Sequence, residues 1–182
     1  MTSTPPSAEQ LDAWVSKTSR RALGYAVTLV RNQQDAEDIV HDCYRRLLAH
    51  SDRYDLVRDG TKLLFRAVTN ACINHTQRRP AEGRWESLEL SADADQRAMR
   101  DLEAAEPSQE AMRRELEEAV GHALAQLPVP QRAAIELRSL GHSLMEVAEM
   151  LDVSYANARV ILHRARTTLA AKLQPFIEEP LP

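Results

Sequence analysis

The chain has 182 residues and a formal net charge of −4, with 5 glycines and aromatic residues at only 4%. That length holds one domain or two small ones, and a composition dominated by Ala, Leu, Arg and Glu argues against a sheet-rich fold and for an all-α one. No stretch is apolar for long enough to span a membrane, and the opening MTSTPPS lacks the charged and hydrophobic parts of a signal peptide, so a cytoplasmic protein without membrane insertion is expected.

In chain order, residues through about Ser7 read as disordered, and a weakly patterned helix is expected from about Glu9 to Lys17. Leu23, Ala26, Val27 and Val30 then form a helical stripe that breaks near Asn32. The next helix, about Asp35 to His50, opens on Asp35, Glu37 and Asp38, where carboxylates complement the helix dipole. Its inward positions are Ala36, Ile39, Val40, Cys43 and Leu47. After a loop from Ser51 to Gly60, a helix from about Lys62 to Gln77 turns Leu64, Ala67, Val68 and Ala71 inward and stops at Arg78-Arg79-Pro80. Residues 81–108, dense in acids, read as a linker. A second unit, 109–175, begins with Leu116, Ala119, Val120, Ala123, Leu124 and Leu127 on one helix face; Pro128 and Pro130 interrupt it before a helix from Gln131 to Leu140.

The most informative segment runs from Leu140 to Arg166. Ser143 and Glu146 have capping-box spacing, and Leu144, Val147, Ala148 and Leu151 make one apolar stripe. Asp152-Val153-Ser154 supplies a turn, with Ser154 placed to cap a second helix that buries Ala158, Leu162, Ala165 and Leu169. Between Tyr155 and Lys172 there are 4 basic residues and no acidic one. A helix-turn-helix with a positive second helix suits a DNA major groove, although a purely structural helical hairpin has the same stripe. The small Ala156 and Asn157 would let the backbone approach DNA; Arg159 lies where recognition helices meet base edges; Arg164, Arg166 and Lys172 suit phosphates. Tyr155, Val160 and His163 complete the outward face.

Two further constellations stand in the first half. On the helix from Asp35, the outward face carries Glu37, Asp38, His41, Asp42 and Arg45: either a solvated surface, with Asp42 and Arg46 as an i,i+4 pair, or a docking face for a basic partner that would also take in Asp35. Arg66, Asn70, Asn74 and Gln77 fall near one line, followed by Arg78, Arg79, Arg84 and Trp85. Amides read base edges, cations track a backbone and Trp85 offers a stacking surface, which together suit single-stranded nucleic acid. Between the two basic patches, from Glu86 to Glu118, 11 acidic residues outnumber 4 basic ones, a stretch that avoids DNA. Cys43 and Cys72 lack metal-ligand spacing and read as buried free thiols, and no catalytic constellation, metal site or cofactor motif is visible, so the chain is not expected to be an enzyme.

The order of these segments resembles that of the extracytoplasmic-function sigma factors of bacterial RNA polymerase. Arg31–Tyr44 (RNQQDAEDIVHDCY) is similar to their region 2.1–2.2, Leu63–Arg79 (LLFRAVTNACINHTQRR) to region 2.3–2.4, and Ala125–Arg138 (AQLPVPQRAAIELR) with the helix-turn-helix and LHRAR at Leu162–Arg166 to region 4. The similarity extends from about Arg20 to Leu173. It implies two helical bundles, at residues 9–80 and 109–175, and a monomer when free. Core polymerase would be the partner, met at its largest-subunit clamp helices and its flap region. Glu37, Asp38 and Asp42 would dock on the clamp. The segment from Lys62 to Trp85 would hold the unpaired −10 strand with a base flipped out, and the helix-turn-helix would read the −35 element as duplex. An anti-sigma factor is a further partner that the family implies. The chain departs from the family pattern at Val160 and Ile161, at Asn74 and Leu63, and at Asp152 in place of a turn glycine. A dimeric helix-turn-helix regulator and a sigma mimic that sequesters an anti-sigma factor are the alternatives; the end soon after the last helix leaves no room for a large C-terminal sensory domain.

Overall fold

The structure, a computed structural model, describes residues 6–78 and 107–178. The described residues form seven helices and no strand: α1 (Ala8–Val30), α2 (Gln33–Ala49), α3 (Gly60–Arg78), α4 (Pro107–Ala125), α5 (Val129–Ser139), α6 (Leu144–Leu151) and α7 (Tyr155–Glu178). The expected linker lies almost entirely outside them.

Ser7 is not part of a disordered start but the N-cap of α1: its hydroxyl accepts from the Gln10 amide (3.2 Å) and its own amide donates to Gln10 Oε1 (2.9 Å). From there α1 runs unbroken to Val30, where a weak helix and a separate stripe were expected. Its buried side is Trp14, Thr18, Ala22, Tyr25, Ala26 and Leu29, about one position away from the expected stripe. Polar atoms on that side disguise it in the sequence, because the Thr18 and Tyr25 hydroxyls find partners inside, although the Trp14 Nε1 does not. Thr18 Oγ1 donates to the Trp14 carbonyl and shares a 2.6 Å hydrogen bond with the Tyr44 hydroxyl; the Tyr25 hydroxyl shares one of 2.7 Å with Thr69 Oγ1. Trp14 meets Tyr44 edge-on and Tyr25 tilts against Phe65.

α2 is capped by the Asn32 side chain, which accepts from the Asp35 amide at 2.9 Å. It buries Ala36, Val40, Cys43, Tyr44 and Leu47, while the expected Ile39 is half-buried. α3 buries Leu64 and Val68 as expected, but also Phe65, Thr69 and Cys72; Ala67 and Ala71 are only half-buried. The extra burial arises because α3 is covered on two sides, by α1 and α2 and by α5 and α6. At its start, Gly60 is packed so closely on Trp14 that a Cβ there would stand 2.8 Å from the indole Nε1.

Among its described side chains α4 buries Ala123, and Leu127 is buried in the turn that follows; Ala119, Val120 and Leu124 are half-buried, and Leu116, expected inside, is 48% exposed. α5 begins at Val129, two residues earlier than expected, because Pro130 sits in the first turn, where a missing N–H leaves no hydrogen bond unmade. α6 and α7 complete the second bundle, with Leu169 half-buried rather than buried.

The two bundles share one continuous core, which includes Leu64, Phe65 and Leu29 from the first and Leu137, Val147 and Met150 from the second. Met150 is 1% exposed although it lies off the apolar stripe of α6, since that helix packs on α5 and α7 with one side and on α3 with another. His142, in the turn before α6, lies against Phe65 at 5.6 Å, and burial lowers its pKa below the ordinary imidazole range. Arg132, 6% exposed, ties the bundles together. Its guanidinium donates to the carbonyls of Thr28 and Leu29 at the end of α1, of Leu124 and Ala125 at the end of α4, and of Leu127, all at 2.8–3.1 Å. Burial lowers its pKa to about 10, so it stays charged at neutral pH, and two negative helix termini surround it.

Two substitutions test these features. Gly60→Ala should lower stability by about 1–3 kcal/mol in urea unfolding, since the indole must shift to admit a methyl group. Arg132→Met, which keeps the aliphatic bulk but strands the carbonyls, should lower it by roughly 3–5 kcal/mol; a loss below about 1 kcal/mol would mean that water satisfies them.

Candidate nucleic-acid interface

The helix-turn-helix is built from short local devices. Ser143 Oγ accepts from the Glu146 amide (3.2 Å) and Glu146 Oε2 accepts from the Ser143 amide (2.8 Å), the expected capping box. Those bonds to Ser143 hold the Glu146 carboxyl below its usual range, so it is ionised at neutral pH. α6 ends at Asp152, whose φ of 57° is left-handed, the conformation that the family's turn glycine would adopt and that Asp tolerates. The Val153 amide donates back to the Ala148 carbonyl at 3.0 Å, and Ser154 Oγ accepts from the Asn157 amide at 3.2 Å, so Ser154 caps α7 as expected.

α7 then presents two different sides. Ala158, Leu162 and Ala165 are buried, whereas Tyr155, Ala156, Asn157, Arg159, Val160, His163, Arg164 and Arg166 are all exposed. Val160 is 45% exposed, an apolar group on a polar face, and Ile161 is half-buried at its edge. Lys172 does not belong to this face: its ammonium donates to Gln126 Oε1.

Along α3, Arg66, Asn74, Gln77 and Arg78 are exposed and Asn70 is half-buried, so these five residues share one open flank. Arg79, Arg84 and Trp85 lie outside the described residues. Lys62, one turn before Arg66, extends the same line. Neither cation is idle: Arg66 pairs with Asp152, and Lys62 Nζ lies 3.6 Å from Glu146 and 3.7 Å from Glu149, all on the helix-turn-helix.

On α2, Glu37, Asp38 and His41 are exposed. Asp42 makes the expected pair with Arg46 (2.6 Å) and a second one with Arg45 (2.5 Å). The Arg45 hydrogen bond, with the neighbouring positive charges, keeps its carboxyl below the usual carboxylate range. Asp35 stands apart from the other acids: half-buried, it turns toward α3, with Oδ2 3.3 Å from His75 Nε2.

Sequence reasoning missed Lys62, Arg132, His142 and Met150. Lys62 had a signal, its i,i+4 spacing to Arg66. The other three had none, because their partners lie in the opposite bundle or across the α4–α5 turn. Cys43 and Cys72 are buried free thiols as expected, and burial pushes their pKa values up to about 11 and about 12, which leaves them protonated. Among the described residues no group of His, Cys, Asp and Glu could hold a metal ion, and no helix is long and apolar enough to cross a membrane.

Helices alone among the elements of the described residues, with a helix-turn-helix whose second helix is cationic and exposed, define a DNA-binding protein. Residues 14–81 match the family model described as Sigma-70 region 2, and residues 117–169 match Sigma-70, region 4. The RNA polymerase sigma-H factor of Pseudomonas aeruginosa is 26% identical over 172 residues, 92% of this chain and 88% of that protein. The ECF RNA polymerase sigma factor SigM of Mycobacterium tuberculosis is 32% identical over 148 residues, 79% of this chain and 66% of that protein. In fold, the chain is similar to the sigma factor RpoE from Bartonella quintana, solved in complex with the anti-sigma factor NepR (TM-score 0.64, 17% identity, covering 92% of this chain and 98% of that one). The chain belongs to the extracytoplasmic-function sigma factors and serves promoter recognition and transcription initiation.

Proposed function

We propose that the three polar faces divide the work of initiation. In this assignment residues 9–80 form the unit that grips core polymerase and the −10 strand, 81–108 a linker, and 109–175 the reader of the −35 duplex. Glu37, Asp38, His41 and Asp42 dock on the clamp helices of the polymerase's largest subunit, with Asp35 at the edge of that face. The flap region takes the second unit. The protein, a monomer when free, works where the polymerase does, in the cytoplasm, adding specificity and leaving the chemistry to the polymerase. An anti-sigma factor, such as the one bound to the structural neighbour, fits as a further partner.

The observation that carries this reading is the outward face of α7, cationic and exposed beside a buried Ala158–Leu162–Ala165 seam. Arg159, in the first turns, is placed for a bidentate pair with guanine, worth about 1–3 kcal/mol of discrimination, while Arg164 and Arg166 meet phosphates. Val160 offers a methyl contact to thymine in place of a hydrogen bond. On α3, Asn70, Asn74 and Gln77 supply amides for base edges between Arg66 and Arg78. Extruding a base costs a few kcal/mol; selective binding of the opened strand offsets that cost and so favours melting.

Asp38→Arg should abolish core binding while leaving the circular-dichroism melt unchanged; undiminished affinity for core would remove the docking face. Arg159→Ala should reduce −35-dependent transcription about 10- to 100-fold, with a much smaller loss of binding to non-specific duplex. Equal losses in the two assays would make Arg159 a phosphate contact.

A further inference from the structure

The contact between the bundles includes a titratable ring. His142, in the turn between α5 and α6, lays its imidazole against Phe65 of α3, with the ring centroids 5.6 Å apart. Its Nε2 is sealed from solvent and has no hydrogen-bond partner. A buried polar atom ordinarily finds one, and a neutral imidazole tolerates the lack far better than a charged one. We propose that His142 is a proton sensor: neutral, it lets α6 rest on α3; protonated, it pushes the two apart, so that acid alone loosens the helix-turn-helix from the first bundle.

Protonation adds an N–H and a full charge to the ring. Burial weighs most heavily against that charge; Glu146 of α6 favours it, while Arg21 of α1 and Lys62 of α3 disfavour it. The Glu146 carboxylate is itself engaged, by the Ser143 amide at 2.8 Å and by Lys62 Nζ at 3.6 Å. Arg138 of α5 donates to the His142 carbonyl, and Arg21 donates to the nearby Leu140 carbonyl at 3.2 Å, so both bring further positive charge to the turn. An aromatic face attracts a cation, but here the pull of Phe65 is set against desolvation and these guanidiniums, and the imidazole pKa is lowered.

The sign of the effect follows. Once α6 has moved away, the exposed ring regains an ordinary pKa near about 6.5, so the loosened form binds the proton more tightly than the packed one. Packing is fully favoured above about pH 6.5 and weakens below it, by up to about tenfold per pH unit for a single proton. Glu136 of α5 works the other way: burial raises its pKa, so acid acting there favours the packed form. Arg132, with a pKa of about 10, stays charged throughout and keeps the start of α5 tied to the end of α1. The Lys62–Glu149 and Arg66–Asp152 pairs join the same elements, and ordinary carboxylates remain ionised above about pH 5.5. Of the other histidines, His41, His50, His122 and His163 are exposed, and His75 lies beside Asp35 between α2 and α3. Acidification therefore changes the shape of the chain with neither a partner nor a covalent change.

The full chain carrying Asp52→Cys and Ala156→Cys, exposed positions before α3 and at the start of α7, takes a pair of spin labels while the buried native thiols stay protected. Pulsed electron double resonance reads the distance between the labels at about pH 7.5 and about pH 5.5, and NMR of the histidine ring carbons follows His142 over the same range. Between the two conditions a longer-distance population should grow up to about tenfold, and His142 should titrate below about 6.5. His142→Phe keeps an aromatic ring at the contact and His142→Gln keeps a polar side chain; neither takes up a proton, and each should show the same distances at both pH values. If one of them fails to fold by circular dichroism, the other carries the comparison. His122→Gln, at an exposed position on α4, should respond as the unsubstituted chain does. Distances that do not change with pH in the unsubstituted chain, a response that survives the loss of His142, or a His142 that titrates at or above about 6.5 overturns the sensor.

Discussion

One guanidinium holds the arrangement of the seven helices. Arg132 lies where the C-terminal ends of α1 and α4 converge, and its donors meet carbonyls from both helices and from the turn that follows. A helix C-terminus leaves its last carbonyls without intrahelical partners, and two such ends buried together would repel through their aligned dipoles. A cation with a planar fork of donors resolves both problems at once, where a lysine would satisfy fewer carbonyls from a single point. The remaining contacts between the bundles follow from this junction. With α1 and α5 held side by side, His142 comes onto Phe65 and α6 is laid along α3.

Buried polar groups recur as the organising element of the first bundle as well. The Thr18–Tyr44 and Tyr25–Thr69 hydroxyl pairs join α1 to α2 and α1 to α3. Each ties a specific pair of helix positions, which hydrophobic contact alone does not, and an unpaired hydroxyl in any slipped register would be costly. The flank of α3 is therefore set by a register that hydrogen bonds define, and its open residues stand in line on a rigid helix. Glu37 and Asp38 of α2 are exposed, while Asp35 turns to His75 of α3. Among the described residues, one small bundle thus offers two distinct surfaces, each on a helix.

Legibility in the sequence varied with the range of the interactions. The helix-turn-helix was readable nearly residue by residue, since the capping box at Ser143 and Glu146, the left-handed Asp152 and the Ser154 cap act within a few positions of one another. The division of α7 into a buried seam and an exposed cationic face was readable for the same reason. Where a helix is covered from several sides the single-stripe expectation fell short: Tyr25 and Leu29 on α1, Phe65 on α3 and Met150 on α6 are buried, although one-sided patterning assigns their positions to other faces. Leu116 shows the reverse error, an apolar residue in a helical stripe that is 48% exposed. The resemblance of motif order to the sigma factors reached the family correctly because it depends on local segments and their succession.

The set of helices, their caps and the chemistry that each helix carries on its surface could be read from the residues in order, because those depend on neighbours three or four positions away. The tertiary structure alone decided which of those surfaces remain available. Pairing Arg66 with Asp152 and Lys62 with Glu146 and Glu149 joins positions more than eighty residues apart, and no periodicity encodes a partner at that distance. It depends on how two bundles settle around a buried cation, and so on the packing of the whole chain.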